Sequence, residues 1–199
     1  RVLLKKGLDP RKDQSYFLFS LRQEYLRHLL FPLGELTKSD SREVARDCSL
    51  RTADKEESME ICFVPDNDYR GFLTQSKLVG VDPGDIVDLQ GKVLGRHDGV
   101  AFYTIGQRRG LGLSSPEPLY VLELDAKLNR VVVGPVDALD KPSFIIDRCN
   151  WIPFEHLKEP IEVTAKIRYN HPGTLAVVTP LEGQRARVDL SVPQRAITP

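Results

Sequence analysis

The spacing of apolar residues near the N-terminus predicts a helix. Phe17, Leu21, Tyr25 and Leu29 recur at every fourth position within SYFLFSLRQEYLRHLLF. Residues at this spacing lie on one face of an α-helix, where they can pack against a core. The first part of the chain is therefore expected to be helical.

A second helix is predicted in TKSDSREVARDCSL. Thr37 or Ser39 offers a hydroxyl group of the kind preferred at a helix N-cap, and helix-forming residues follow it. Val44, Ala45 and Cys48 then lie on one stripe. At that position Cys48 is expected to be a small buried hydrophobe.

From about residue 80 the pattern becomes one of short apolar runs separated by Gly and Asp, which predicts small strands and tight turns. LYVLELDAKLNRVVVG predicts a hairpin that turns at residues 125–129. Further on, Val163, Ala165 and Ile167 alternate with polar residues. This alternation continues with turns about ten residues apart and is typical of half-buried antiparallel sheet in a small barrel. Joints are expected near residues 70–76 and 140–146.

Composition places the chain among ordinary globular proteins, with 41% hydrophobic and 28% charged residues in a length of 199. The formal charge is zero, so a nucleic-acid surface has to be a local patch. No apolar run approaches the roughly 20 residues of a membrane span, and the N-terminus lacks a signal-peptide core. A cytoplasmic protein without a membrane partner is expected.

The cysteines do not indicate a metal site or a disulfide framework. Cys48, Cys62 and Cys149 are an odd number with no CxxC spacing, and the histidines are scattered. Cys62 lies between Ile61 and Phe63, where residue type alone favours a core position. The neighbouring residue types do not decide whether Cys62 is reactive, because the exposure of the thiol and nearby cations determine whether a thiolate forms.

Three stretches are locally basic: RKDQ at positions 11–14, GQRRG at 106–110 and KIRYN at 166–170. Arginine binds phosphate with two hydrogen bonds, and a neighbouring aromatic ring can stack on an unpaired base. In GQRRG the candidates are Arg108 and Arg109. A solvated strand face and a charged turn remain the alternative for each stretch. No nucleotide-binding glycine motif is present.

The segments KDQSYFL, EICFVPD and YTIGQRRGLG together resemble the bacterial and organellar tRNA-specific 2-thiouridylases. The similarity extends from about residue 3 to the end of the chain, in the same segment order. It implies an enzyme that adenylates the C2 oxygen of the wobble uridine of tRNA with ATP. A cysteine persulfide then supplies the sulfur.

The resemblance also implies an α-then-β fold class. Residues 1–75 are expected to be the helical tail of an α/β ATP-pyrophosphatase domain, like those of the adenine nucleotide alpha hydrolases. Residues 76–145 are expected to form a small, mostly β central domain. Residues 146–199 are expected to form a truncated antiparallel β-barrel, like those of translation elongation factors.

Particular residues acquire roles from the same resemblance. Cys62, within EICF, matches the persulfide cysteine. Pro65 favours a loop there, and the nearby carboxylates are expected to raise the pKa of the thiol. The residues that match tRNA-contacting positions of the family are Lys12, Asp13, Gln14, Arg168 and Tyr169.

The family's SGGVDS-type loop and its second catalytic cysteine have no counterpart in this sequence. ATP with Mg²⁺ is therefore expected to bind a region outside this chain, and the chain by itself is expected to be inactive. Expected partners are tRNA and a sulfur-relay donor protein, with the protein a monomer in the cytoplasm or an organellar matrix. One alternative is a non-catalytic RNA-binding β-barrel module. Another is a translation-factor accessory barrel, which leaves KDQ and EICF unexplained.

Overall fold

The computed structural model describes residues 1–55, 64, 68–76 and 80–198, and the chain divides into two compact units. The first unit contains Arg1–Glu57 and Phe144–Asp189. The second contains Ser58–Ser143 and Leu190–Pro199. Each unit is thus assembled from two separate stretches of sequence.

The helices of the described residues are short. The α-helices are α1 (Gln23–Leu26), α2 (Lys38–Asp47) and α3 (Tyr69–Gln75), and the 3₁₀-helices are Ser15–Leu18, Val100–Phe102 and Val136–Leu139. Within this part of the chain, no helix combines the length and the apolar character needed to cross a bilayer.

The described strands form two sheets of four strands each. The first sheet has the order β2-β1-β4-β3 and the second the order β5-β8-β7-β6. The strands are β1 (Gly84–Val87), β2 (Val93–His97), β3 (Tyr120–Asp125), β4 (Arg130–Gly134), β5 (Asp140–Ile146), β6 (Ile161–Ala165), β7 (Thr174–Pro180) and β8 (Ala186–Arg195).

The first sheet joins two hairpins through a parallel pair in its centre. In β1 and β4, Ile86 lies beside Val131, and both side chains are fully buried. The predicted hairpin is confirmed, because β3 and β4 pair antiparallel. In its turn, the Asp125 carboxylate accepts hydrogen bonds from the backbone N–H groups of Lys127 and Leu128, at 3.1 and 3.0 Å.

The second sheet shows the predicted alternation of buried and exposed residues. Ala176 and Val178 of β7 are buried, while Leu175 and Val177, which alternate with them, are exposed. Ile167 was expected to continue the alternation of β6, but this strand ends at Ala165. Residues 166–173 form the loop from β6 to β7. Among the described strands, β5 and β6 are the edges of this sheet, and no pairing closes it into a barrel.

The long N-terminal helix predicted from the apolar spacing is wrong in extent. The segment contains the 3₁₀-helix Ser15–Leu18 and the short helix α1, with extended backbone at Arg22 between them. The side-chain amide of Asn150 donates hydrogen bonds to the carbonyl oxygens of Phe19 and Leu21, at 2.8 and 2.9 Å. These partners satisfy the backbone where a continuous helix would have used its own N–H groups.

Further hydrogen bonds hold the start of the chain against the same stretch of the first unit. The Arg1 guanidinium donates to the carbonyl oxygens of Trp151 and Ile152, at 3.1 and 3.3 Å. Gln23 donates to the Ile152 carbonyl at 3.1 Å and exchanges two hydrogen bonds with the backbone of Val2. The N-terminal segment is therefore fixed at both of its ends.

Helix α2 begins as its sequence predicts. Thr37 is the N-cap, and it forms a reciprocal capping box with Asp40. The expectation for Cys48 is wrong, because this thiol is exposed at the C-cap of α2. The apolar residues on the stripe did not define a buried face, since Val44 is also exposed.

We predict that Asn150→Ala lowers the free energy of unfolding by about 1–2 kcal/mol, because two carbonyl groups lose their hydrogen-bond donor. Urea unfolding measures this loss, and amide hydrogen exchange of residues 15–23 is expected to accelerate. Asn170→Ala, which removes an exposed asparagine from the β6–β7 loop, is the matched control. Equal stability of the two variants would contradict the prediction.

Candidate nucleic-acid interface

Asp13 organises the turn that carries the KDQ residues. Its Oδ1 atom accepts hydrogen bonds from the backbone N–H groups of Gly7 and Ser15, at 3.0 and 3.2 Å. Its Oδ2 atom accepts one from the Ser15 hydroxyl at 2.8 Å. Because both oxygens bind groups of the turn itself, the carboxylate closes the loop and leads into the 3₁₀-helix that starts at Ser15.

The charge of Asp13 is stabilised in this position. Partial burial by itself would raise the pKa of the carboxyl group, but the hydrogen bonds from Gly7 and Ser15 outweigh it and lower the pKa below its ordinary value. The folded turn therefore favours the ionised carboxylate.

Lys12 and Gln14, on either side of Asp13, are exposed. The backbone N–H of Lys12 donates to the carbonyl oxygen of Asp9 at 3.0 Å, which makes a tight turn. The Asp9 carboxylate in turn accepts hydrogen bonds from the N–H groups of Lys38 and Arg11. These bonds lower the pKa of Asp9. A rigid backbone thus presents one cation and one amide to the solvent.

Arg168 and Tyr169 lie in the β6–β7 loop of the same unit. The Arg168 side chain is exposed, whereas Tyr169 is half-buried. The N–H of His171 donates to the Arg168 carbonyl at 3.1 Å. Gly173 closes the loop with φ of +101°, and a Cβ atom at this residue would lie 2.6 Å from Cγ2 of Thr164. A side chain at Gly173 is therefore excluded by both backbone angle and space.

Aromatic rings connect this loop with the segment that follows KDQ. The ring centroids of Phe17 and Tyr169 are 4.9 Å apart, with an angle of 32° between the ring planes. Tyr16 makes edge contacts with both rings, at 5.6 Å from Phe17 and 6.1 Å from Tyr169. The segment that follows KDQ and the β6–β7 loop are therefore in contact within the first unit.

Sequence reasoning missed Tyr16 and Phe17 as members of this site. The helical spacing assigned Phe17 to a buried face, but 58% of its surface is exposed. The available signal was their position directly after KDQ, beside a turn that is rich in polar groups. In the sequence alone, Tyr16 and Phe17 look like residues of an ordinary apolar helix face, because their contact with Tyr169 is visible only in the structure.

The GQRRG loop belongs to the second unit, where it is attached to β3. Gly106 donates its N–H to the carbonyl of Val121 at 2.7 Å, and Val121 donates to the carbonyl of Gln107 at 2.9 Å. Gly106 and Gly110 have positive φ angles of 88° and 75°. The loop presents the side chains of Arg108 and Arg109 to solvent.

The GQRRG loop does not offer all of its backbone N–H groups to a phosphate of ATP. A phosphate site in a glycine-rich loop needs several backbone N–H groups that point at the ligand. In the GQRRG loop, the N–H groups of Gly106 and Gln107 instead donate to carbonyl oxygens within the unit. For metals, no group of three or more potential ligand side chains occurs among the described residues.

Cys62 lies outside the described residues, so its proposed role rests on sequence. Cys48 is exposed, and Cys149 is half-buried in the first unit. Burial, followed by the nearby charge of Asp147, raises the pKa of the Cys149 thiol. This environment disfavours the thiolate that nucleophilic chemistry requires.

Comparison with known protein families matches three successive models to this chain. Residues 1–66 match the tRNA methyl transferase HUP domain, and residues 71–135 match the tRNA methyl transferase PRC-barrel domain. Residues 141–199 match the aminomethyltransferase beta-barrel domain. The three matches together extend over almost the whole sequence.

Individual relatives are similar over the full length of the chain. The tRNA-specific 2-thiouridylase MnmA 1 of Caldanaerobacter subterraneus subsp. tengcongensis is 49% identical over 199 residues, which are 100% of this chain and 55% of the relative. The MnmA protein of Carboxydothermus hydrogenoformans is 47% identical over 98% of this chain and 54% of its own length. That of Nostoc punctiforme is 47% identical over 100% and 56%. The chain spans about half the length of these curated relatives.

We predict that Asp13→Ala lowers the free energy of unfolding by about 1 kcal/mol, because the hydrogen bonds that Asp13 accepts from Gly7 and Ser15 are lost. The ionised form of Asp13 is favoured in the folded state, so its contribution is present above the ordinary pKa of 3.8 and is lost as pH falls through the lowered value.

The stability difference between the native protein and Asp13→Asn is expected to shrink in this acid range. Urea unfolding from about pH 6 to about pH 3 measures it. If the difference in unfolding free energy stays constant over this pH range, the lowered pKa of Asp13 in the folded protein is contradicted.

Proposed function

Because the chain belongs to the family of the tRNA-specific 2-thiouridylases, we propose that it forms the tRNA-docking and sulfur-carrying part of a tRNA-uridine 2-sulfurtransferase. The observation that carries this proposal is the contact between Phe17 and Tyr169. It brings the segment after the KDQ turn into contact with the β6–β7 loop, and both stretches match tRNA-contacting motifs of the family by resemblance.

In this proposal Lys12 and Arg168 bind phosphate groups of the tRNA backbone, and Gln14 and Tyr169 contact sugar or base groups. The exposure of Lys12, Gln14 and Arg168 supports it, because a bound RNA can reach these side chains without rearrangement of the unit. Asp13 positions the turn, since its two oxygens are used within the loop. Arg108 and Arg109 add a second exposed cationic pair for tRNA.

Cys62 is proposed as the persulfide carrier on the basis of its position in EICF. A terminal persulfide sulfur is a good nucleophile near neutral pH and can attack the adenylated C2 carbon of uridine, so that a C–S bond forms while the C2–O bond breaks and AMP leaves. A second thiol that attacks the sulfur atom of Cys62 then forms a disulfide with it and releases the thiouridine. The raised pKa of Cys149 supports the choice of Cys62 over this thiol. The family's SGGVDS-type loop has no counterpart in this sequence, so the adenylation step is not assigned to side chains of this chain.

The remaining proposals rest on family membership. They are domains at residues 1–75, 76–145 and 146–199, with the last a β-barrel in accordance with the description of its family model. ATP with Mg²⁺ acts in the whole protein, which works as a monomer in the cytoplasm or an organellar matrix. Sulfur reaches Cys62 from a relay donor protein.

A non-catalytic RNA-binding module is not favoured as the function. The relatives that match the full chain, including the Cys62 region, are named as thiouridylases rather than as binding proteins. A translation-factor accessory barrel explains at most the C-terminal third, and leaves the KDQ turn and its contact with Tyr169 without a role.

We predict salt-dependent binding of an unmodified tRNA transcript to the 199-residue chain. Lys12→Ala and Arg168→Ala are each expected to weaken it and to lower the slope of log affinity against log salt by about 1, because one phosphate contact is lost. Filter binding from about 50 to about 200 mM salt measures the slope.

Arg187→Ala is the matched control for these two variants. Arg187 is an exposed arginine of the same unit that lies in β8, outside the proposed surface, where its guanidinium donates to the Asp189 carboxylate at 2.8 Å. If Arg187→Ala lowers the slope as much as the other two, the binding is not specific to the proposed surface.

We predict that incubation with a low-molecular-weight persulfide donor adds one reductant-labile sulfur atom to Cys62. Peptide mass spectrometry locates the adduct, and Cys62→Ser is expected to remove it. Cys48 is an internal control, because it is an exposed thiol outside the EICF motif. Equal labelling of Cys48 and Cys62 would contradict a special role for Cys62.

A further inference from the structure

The exposed ring of Phe17 is available for a role that neither the family motifs nor the sequence analysis assigned to it. We propose that Phe17 is an RNA-binding residue whose ring stacks on an unpaired base of the bound tRNA. This inference rests on the proposed function and adds a contact residue outside the matched KDQ and Arg168–Tyr169 positions.

Phe17 lies one turn after Gln14, the residue that precedes the 3₁₀-helix Ser15–Leu18. The N–H of Phe17 donates to the carbonyl of Gln14 at 3.0 Å, at the start of the 3₁₀-helix Ser15–Leu18. This hydrogen bond joins the backbone of Phe17 directly to that of Gln14. Both side chains are exposed, so an RNA that contacts Gln14 is within one turn of the ring of Phe17.

The ring of Phe17 is held in place from one side and open on the other. It packs against Tyr169 at 4.9 Å with a small tilt, and Tyr16 meets it edge-on at an angle of 88°. Nevertheless 58% of the residue is exposed. A base that stacks on the open part extends an existing stack of rings, and little side-chain entropy is lost because the ring is already oriented.

The charges around the ring favour an RNA as its occupant. Lys12 lies in the turn before it, and Arg168 directly precedes the tyrosine on which it packs; both are exposed cations. Cations beside an aromatic platform are the combination that binds unpaired nucleotides, with the phosphate on the cation and the base on the ring. A base paired within a duplex does not offer its face to such a ring.

The test compares Phe17→Leu and Phe17→Trp in the 199-residue chain, with an unmodified tRNA transcript as the probe. Leucine keeps apolar contact with Tyr169 but cannot stack on a base, and it is expected to weaken binding by at least about fivefold. Tryptophan keeps a stacking ring and is expected to bind within about twofold of the native protein. The salt slope is expected to remain unchanged in both variants, because no phosphate contact is lost.

Two controls separate stacking from other effects. Phe19→Leu changes another exposed phenylalanine, with 71% of its surface open, and is expected to leave tRNA binding unchanged. A blunt-ended RNA duplex of similar length is expected to bind the native protein and Phe17→Leu equally, since it has no unpaired base. Thermal unfolding of each variant verifies that the unit is intact.

The experiment distinguishes a failure of the proposed tRNA docking from a failure of the stacking role of Phe17. If the native chain does not bind tRNA, the proposed docking function fails, and this inference fails with it. If the native chain binds and Phe17→Leu binds equally well, the stacking role alone is overturned. Equal weakening by leucine and tryptophan also overturns it, because the ring would then act through its packing on Tyr169.

Discussion

Hydrogen bonds from Asn150 to two backbone carbonyls of the N-terminal segment are the interaction on which the candidate interface depends. A segment that is neither helix nor strand leaves its polar backbone groups without regular partners, so it keeps one conformation where other groups bind them. The amide of Asn150 does this at Phe19 and Leu21. The rings of Tyr16 and Phe17 can meet Tyr169 because the segment after them is held in this way.

Elements whose determinants are local could be predicted from the sequence. The β3–β4 hairpin formed as expected, since Asp125 and the turn after it specify the reversal within a few residues. Helix α2 likewise begins at Thr37, whose partner Asp40 is three residues away. In both cases the side chain that forms the turn or the cap lies within three residues of the backbone that it binds.

The N-terminal segment could not be predicted in the same way. Its apolar spacing favours a helix, but the competing hydrogen bonds come from Asn150, which is distant in the sequence. The resemblance assigned tRNA contacts to the KDQ turn and to the Arg168–Tyr169 pair without separating the roles of the individual residues. The structure indicates that Asp13 faces its own loop while Lys12 and Gln14 face solvent. Which of the three side chains faces the loop and which face the solvent depends on the backbone conformation of the turn, and residue type alone does not specify it.

The division of the chain into interleaved stretches has a consequence for its synthesis. The first unit needs Arg1–Glu57 together with Phe144–Asp189, so its early half leaves the ribosome long before its later half exists. Because domains fold as units during translation, the N-terminal segment has to wait without its partners until Asn150 and Tyr169 emerge. Throughout that interval the rings and carbonyls of the segment lack these partners and are available to chaperones, and the candidate interface forms only once Tyr169 has been synthesised.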